Sequence, residues 1–145
     1  MLATLRAWAP LPLRVVLGVG LMRHGGIKLF AEGGHANIVH LLTALGVPAP
    51  EAMGWVVGLV EFGGGLGMLV GAFMPLTAGI NALNVAGLLL LGALRGGIPD
   101  PLPGGDPLPA FREAFLILAA TLTLVLGGAG AWSVDEFRAQ RKSVH

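Results

Sequence analysis

One acid lies where lipid is expected. Glu61 sits near the centre of the apolar stretch from about Glu51 to Phe73, ten residues from the stretch's start, where a carboxylate costs roughly 2.5–3.5 kcal/mol on insertion scales. Such a group needs a partner or a purpose: it ties helices together as a protonated or hydrogen-bonded acid, or it exchanges protons with a ligand. His24 and Lys28 bring related chemistry. They are four apart near the end of the first apolar stretch, with Gly20 one turn earlier, so they share a helical face. An imidazole relays protons near neutral pH, and a lysine either orients a ligand oxygen or snorkels to the interface. Asn81 and Asn84, three apart in a third stretch, also share a face. Each can donate across a bundle for about 0.6 kcal/mol, as helix glue or to a ligand. His24, Lys28, Glu61, Asn81 and Asn84 are therefore the ligand and proton-relay candidates. The first three are expected to face one internal cavity with Asn81 or Asn84 on its wall, Lys28 at the mouth and Glu61 at the floor. No residue is assigned as catalytic, and no metal is expected.

The elements that position these residues follow from composition. The chain has 145 residues, 54% hydrophobic and only 12% charged, against roughly a quarter charged in soluble domains. Spans of about 20 residues are expected over 12–30, 51–73, 76–94 and 112–130, which leaves tails and connections too short for a second domain. Residues 1–145 thus read as a single membrane domain. Cysteine is absent, which excludes dithiol exchange, thiolate-bound iron–sulfur clusters and disulfides. A net charge of +1 without a basic run argues against nucleic acid. Haem would want paired histidines at one depth, and only His24 lies within a span.

Between the first two spans, Ile38, Leu41, Leu42 and Leu45 fall on one side of a short segment that Gly46, Pro48 and Pro50 terminate; this predicts a helix lying at the membrane interface. Pro75 separates the second and third spans into a tight hairpin. Residues 96–110 contain five prolines and four glycines and read as an extramembrane loop. Ser133 and Glu136 have capping-box spacing, so a short amphipathic helix should start at Ser133.

Two glycine patterns occupy the second span. Gly54, Gly58, Glu61, Gly65 and Met68 form one helical stripe, which admits a helix or ligand close to the carboxylate. Gly63, Gly67 and Gly71 form a G-x-x-x-G ladder on another face, suited to helix packing within the chain or between copies. Counting Arg6, Arg14, Arg138, Arg141 and Lys142 on the side of the termini, against Arg23, Lys28, Arg95 and Arg112 opposite, favours cytoplasmic termini.

Several pieces in this order are similar to the DoxX family of small four-span membrane proteins. They are His24-Gly25-Gly26-Ile27-Lys28-Leu29, the Gly46–Pro50 turn, Glu61-Phe62-Gly63-Gly64-Gly65-Leu66-Gly67, Glu113 at the start of the last span, and Gly128–Asp135. Ala129 and Val134 stand where that family usually has proline and leucine. The resemblance implies an all-α fold: a transmembrane four-helix bundle, a short interfacial helix between spans 1 and 2, and a C-terminal amphipathic helix. It also implies a multi-pass protein in the plasma membrane of a prokaryote. In function the family ranges from quinone-linked oxidoreductase subunits to proteins that assist other membrane proteins.

The expected function is a membrane subunit of a quinone-linked redox system. A quinone or other isoprenoid lipid would sit in the bundle, with His24 and Glu61 handling protons. No redox centre or covalent cofactor is expected in the chain itself, so a separate catalytic redox subunit is the expected partner, beside membrane lipids and further copies of the chain. The alternative is a non-enzymatic membrane chaperone or assembly factor, or a carrier of lipids or small molecules.

Overall fold

The structure, a computed structural model, describes residues 7–96 and 107–142, with side chains in the second segment from Arg112 onward. The described residues form six helices and no strand: α1 (Pro10–Phe30), α2 (Gly34–Ala44), α3 (Pro50–Val70), α4 (Met74–Leu94), α5 (Pro107–Gly127) and α6 (Val134–Lys142). Proline falls in the first turn of all four long helices, where N–H groups have no intrahelical acceptor.

Three boundaries differ from the sequence expectation by three residues or more, one of them the end of α5 at Gly127 instead of 130. α3 stops at Val70 instead of continuing to Phe73, because Gly71 adopts φ 69° and the N–H of Ala72 bonds to Gly67 O at 2.8 Å, a glycine-terminated end. α5 begins at Pro107, inside the segment expected to be a loop. Prolines at positions 107 and 109 fall in its first turn, where a missing N–H costs little. The rest of that expected loop, 97–106, lies outside the described residues, as does Arg6.

The long helices run alternately up and down. Each packs on two others in the ring α1–α3–α4–α5. The tightest crossing is α1 on α3, where Gly18 meets Gly65 and Gly25 meets Gly58 and Phe62. A Cβ at Gly25 would lie 2.6 Å from Gly58 O, and one at Gly65 would lie 2.7 Å from Gly18 O. The stripe containing Glu61 is thus the packing face of α3, with Gly54, Gly58, Glu61, Gly65 and Met68 all buried.

The Gly63, Gly67, Gly71 ladder packs within the chain in part only. Gly63 has open space around it, Gly67 contacts Thr77 across its own hairpin, and Gly71 ends the helix. Gly25→Ala is accordingly expected to lose about 1–3 kcal/mol by overpacking, whereas Gly63→Ala should stay within about 0.5 kcal/mol of the native protein. Thermal unfolding of the two variants in one detergent checks the contrast; equal losses would contradict this assignment of faces.

One end of the bundle is held by Arg14. It is not among headgroups, as the charge count supposed, but 1% exposed. Its guanidinium donates to five carbonyls: Met68 and Leu69 at the end of α3, and Ala129, Ala131 and Trp132 after α5. These include last-turn carbonyls that have no partner within their own helix. Asp135 completes the junction by accepting from the N–H groups of Phe73 and Met74, each at 2.8 Å, at the start of α4. Ser133 Oγ accepts from Glu136 N at 3.1 Å, so α6 starts with the side-chain cap its sequence indicates.

Large aliphatic side chains face outward on all four long helices, among them Val16, Leu59, Leu83, Leu94, Leu116 and Leu126. Among the described residues, α3 and α4 are long and apolar enough to cross a membrane by length and composition.

Candidate functional site

The α1–α3 crossing brings the first pair of polar groups together. Because the helices are antiparallel with Gly25 against Phe62, Lys28, almost one turn further on, extends its ammonium to Glu61 Oε2 and forms an ion pair. Glu61 is only 8% exposed. The glycines at 58 and 65 leave room for α1 to come this close to the carboxylate. From α4, Asn84 Nδ2 points at the other carboxylate oxygen, Glu61 Oε1, at 3.5 Å, the long limit of a hydrogen bond.

These three groups lie at one end of a cavity of about 280 Å³ whose other walls are aliphatic. α2 supplies Ile38, Leu41 and Leu42, α3 supplies Met53 and Val57, and α4 supplies Leu88 and Leu91. The apolar side of α2 therefore roofs this cavity. α2 is seated by Gly54, beside which His35 and Ile38 pack closely, and by His35 stacking on Trp55 at 4.2 Å between ring centres.

His24 does not join them. Its Nε2 lies 3.3 Å from Glu113 Oε1 on α5, both side chains being partly exposed. It borders a separate groove of about 270 Å³ with Arg23, Asn37 and Lys28. The expectation of one cavity shared by His24, Lys28 and Glu61 is corrected on this point, and a direct His24–Glu61 proton relay goes with it. The reason is geometric: four residues advance a helix by one turn and about 40° more. The short imidazole stays on the α5 side while the long lysine stem reaches α3.

Asn81 is also elsewhere. It is fully buried, donating to Thr77 O at 2.9 Å and Val60 O at 3.3 Å. Gly64 makes the space its amide occupies. Asn81 ties α4 to α3, and Asn84 alone of the two reaches the cavity.

Sequence reasoning missed the aliphatic walls on α3 and α4 and the junction at Arg14. A signal for the first was present, since Met53, Val57 and Glu61 repeat every four residues and so line one side of α3 together. Chemically, the ammonium and amide are two hydrogen-bond donors beside a carboxylate, at the end of a largely apolar space. That arrangement suits a molecule with an oxygen-bearing head and an apolar body. Among the described residues no group of three or more histidine or acidic side chains is placed to hold a metal.

No curated protein and no solved structure matches the chain. The sequence model of the DoxX family matches residues 9–93, more than half of the chain. The match takes in α1 to α4 with Lys28, Glu61 and Asn84, while Glu113 and the Gly128–Asp135 segment fall beyond it. With its helices, its apolar α3 and α4 and this match, the chain is a membrane protein and belongs to the DoxX family.

Proposed function

We propose that this protein is a four-span membrane subunit of a quinone-linked redox system. In this reading the cavity at Lys28, Glu61 and Asn84 holds the head of a quinone or similar isoprenoid lipid. The observation that carries the reading is the pairing of two donors and an acid with a cavity otherwise lined by aliphatic side chains. A volume of about 280 Å³ is near the lower end of ligand pockets, roughly 300–1,000 Å³. It accommodates a ring-sized head and leaves the tail in lipid.

Lys28 and Asn84 would each donate to a head-group oxygen, and Glu61 would hold or release a proton beside it. When bound, a quinone supplies two-electron, two-proton chemistry; the electrons would come from a separate subunit bearing flavin, metal or thiols.

Four spans are supported by the outward aliphatic surface, which all four long helices share. A soluble monomer rarely exposes contiguous apolar patches beyond a few hundred Å². The polar residues that make α1 less apolar than α3 are partly turned inward, Arg14 onto carbonyls and Lys28 onto Glu61. An even number of spans places both termini on one side, which the basic residues of α6 favour as the cytoplasm of a prokaryote. Reporter fusions at residues 8, 105 and 143 test this. The reporter at 105 is expected on the side opposite the other two, and a reporter at 105 on the same side as 143 would reject four spans.

The ligand reading is tested by extracting the purified protein with organic solvent and analysing the extract by mass spectrometry. A quinone or related isoprenoid lipid at near-stoichiometric amount is expected. Protein free of any such molecule after mild extraction from native membranes would count against it.

A further inference from the structure

At the end of the bundle opposite the α2-roofed cavity, a further concavity of about 540 Å³ lies between the start of α1 and the α5–α6 junction. Its walls include Trp8, Trp132, Glu136, Phe137 and Gln140. The spacing 133, 136, 137, 140 places Ser133, Glu136, Phe137 and Gln140 on one face of α6, and that face turns toward the two tryptophans. The Trp8 and Trp132 rings are 5.5 Å apart, tilted by 51°, and so meet at an angle instead of lying flat against each other.

We infer that this concavity binds an organic ammonium group, the amine head of an aminophospholipid. Aromatic rings beside a cation are a means by which proteins hold ammonium groups; Trp8 and Trp132 border the space with Glu136, which adds the opposite charge on the same wall, while one face of Phe137 already carries Arg141. Arg138, Arg141 and Lys142, at i, i+3 and i+4, form a different face of α6. Arg138 lies over Phe73 and Arg141 over Phe137, each 4.5 Å from the ring centre. A zwitterionic head would thus find a carboxylate and aromatic rings for its amine on one face of the helix, and cationic side chains for its phosphate on the next. An aromatic side chain that merely anchors a helix at the interface spreads its ring among headgroups. Here the rings and a carboxylate border a common space.

The test uses the full chain in lipid nanodiscs made of phosphatidylglycerol alone. Tryptophan fluorescence is followed while tetramethylammonium chloride replaces sodium chloride at constant ionic strength. A saturable change is expected that sodium does not produce, and Glu136→Gln should weaken it by up to about fivefold. Trp8→Leu should weaken it comparably, guarding against an effect confined to α6. In nanodiscs that also contain phosphatidylethanolamine the titration should move to higher concentration, because the lipid amine already occupies the site. A saturable response with no such movement would overturn the lipid assignment in favour of a free amine. No saturable response, or one that Glu136→Gln leaves unchanged, would overturn the site.

Discussion

Arg14→Met is expected to be the most destabilising single change in the protein. The side chain is buried, and its guanidinium supplies five carbonyl acceptors drawn from the end of α3 and the turn after α5. Each buried acceptor left without a donor costs about 1–3 kcal/mol, and hydrogen bonds to a charged donor are the stronger kind. The losses do not add fully, because freed segments move and rehydrate, so the expected total is about 4 kcal/mol or more. Arg14→Lys should recover only part of it. An ammonium has three donors radiating from one point and cannot span carbonyls that a planar fork of five donors reaches. Thermal unfolding in detergent should show the midpoint of Arg14→Met lowered by more than about 10 °C. A change within a few degrees would mean that the junction does not hold α1, α3 and α5 together.

The second large effect concerns the Lys28–Glu61 pair, where stability and ligand retention should separate. Lys28→Met leaves a carboxylate in an aliphatic cavity, and Glu61→Gln leaves an ammonium there. Breaking a buried pair from one side costs roughly 3–5 kcal/mol, whereas replacing both partners with apolar side chains of similar size is often neutral. Lys28 also borders the groove at Arg23, an escape toward solvent that should soften Glu61→Gln to about 2 kcal/mol. The double variant Lys28→Met/Glu61→Leu should return to within about 1 kcal/mol of the native protein and still extract without its lipid. If the double variant is as unstable as the worse single change, the pair serves the fold. If it keeps the lipid, the cavity is not where the lipid sits.

Much of this was legible in the sequence for physical reasons. An acid in the middle of an apolar helix must be turned inward, and glycines at 58 and 65 on its own face show which side another helix approaches. Prolines and glycines at 46–50 and the Ser133 cap mark where the chain turns. The identity of the partner was harder to read. His24 and Lys28 share a face by spacing, and only the antiparallel register of α1 on α3 assigns Lys28 to Glu61 and leaves His24 to Glu113. That register also means that Glu61→Gln, although it keeps the side chain's shape, strands the Lys28 ammonium.

Arg14 was illegible in a different way. An arginine a few residues inside a span has the sequence signature of a headgroup anchor. Its real acceptors are backbone carbonyls, which carry no sequence signal, more than fifty residues away. The glycine ladder was legible only in part for a related reason: G-x-x-x-G records small size, and Gly67 packs on Thr77 of α4 while Gly63 stays open and Gly71 ends the helix.

The central claim, that an isoprenoid quinone-like molecule rests on the Lys28–Glu61–Asn84 floor under α2, is tested most directly by photo-crosslinking. A quinone bearing a photoreactive azide is added to native membranes, irradiated, and the labelled peptides are sequenced. The label should fall on cavity walls such as Leu41, Val57 and Leu88, compete with unlabelled quinone, and disappear in the Lys28→Met/Glu61→Leu variant. Labelling confined to outward residues such as Leu116 and Leu126, or labelling of the cavity that the double variant leaves unchanged, would contradict it.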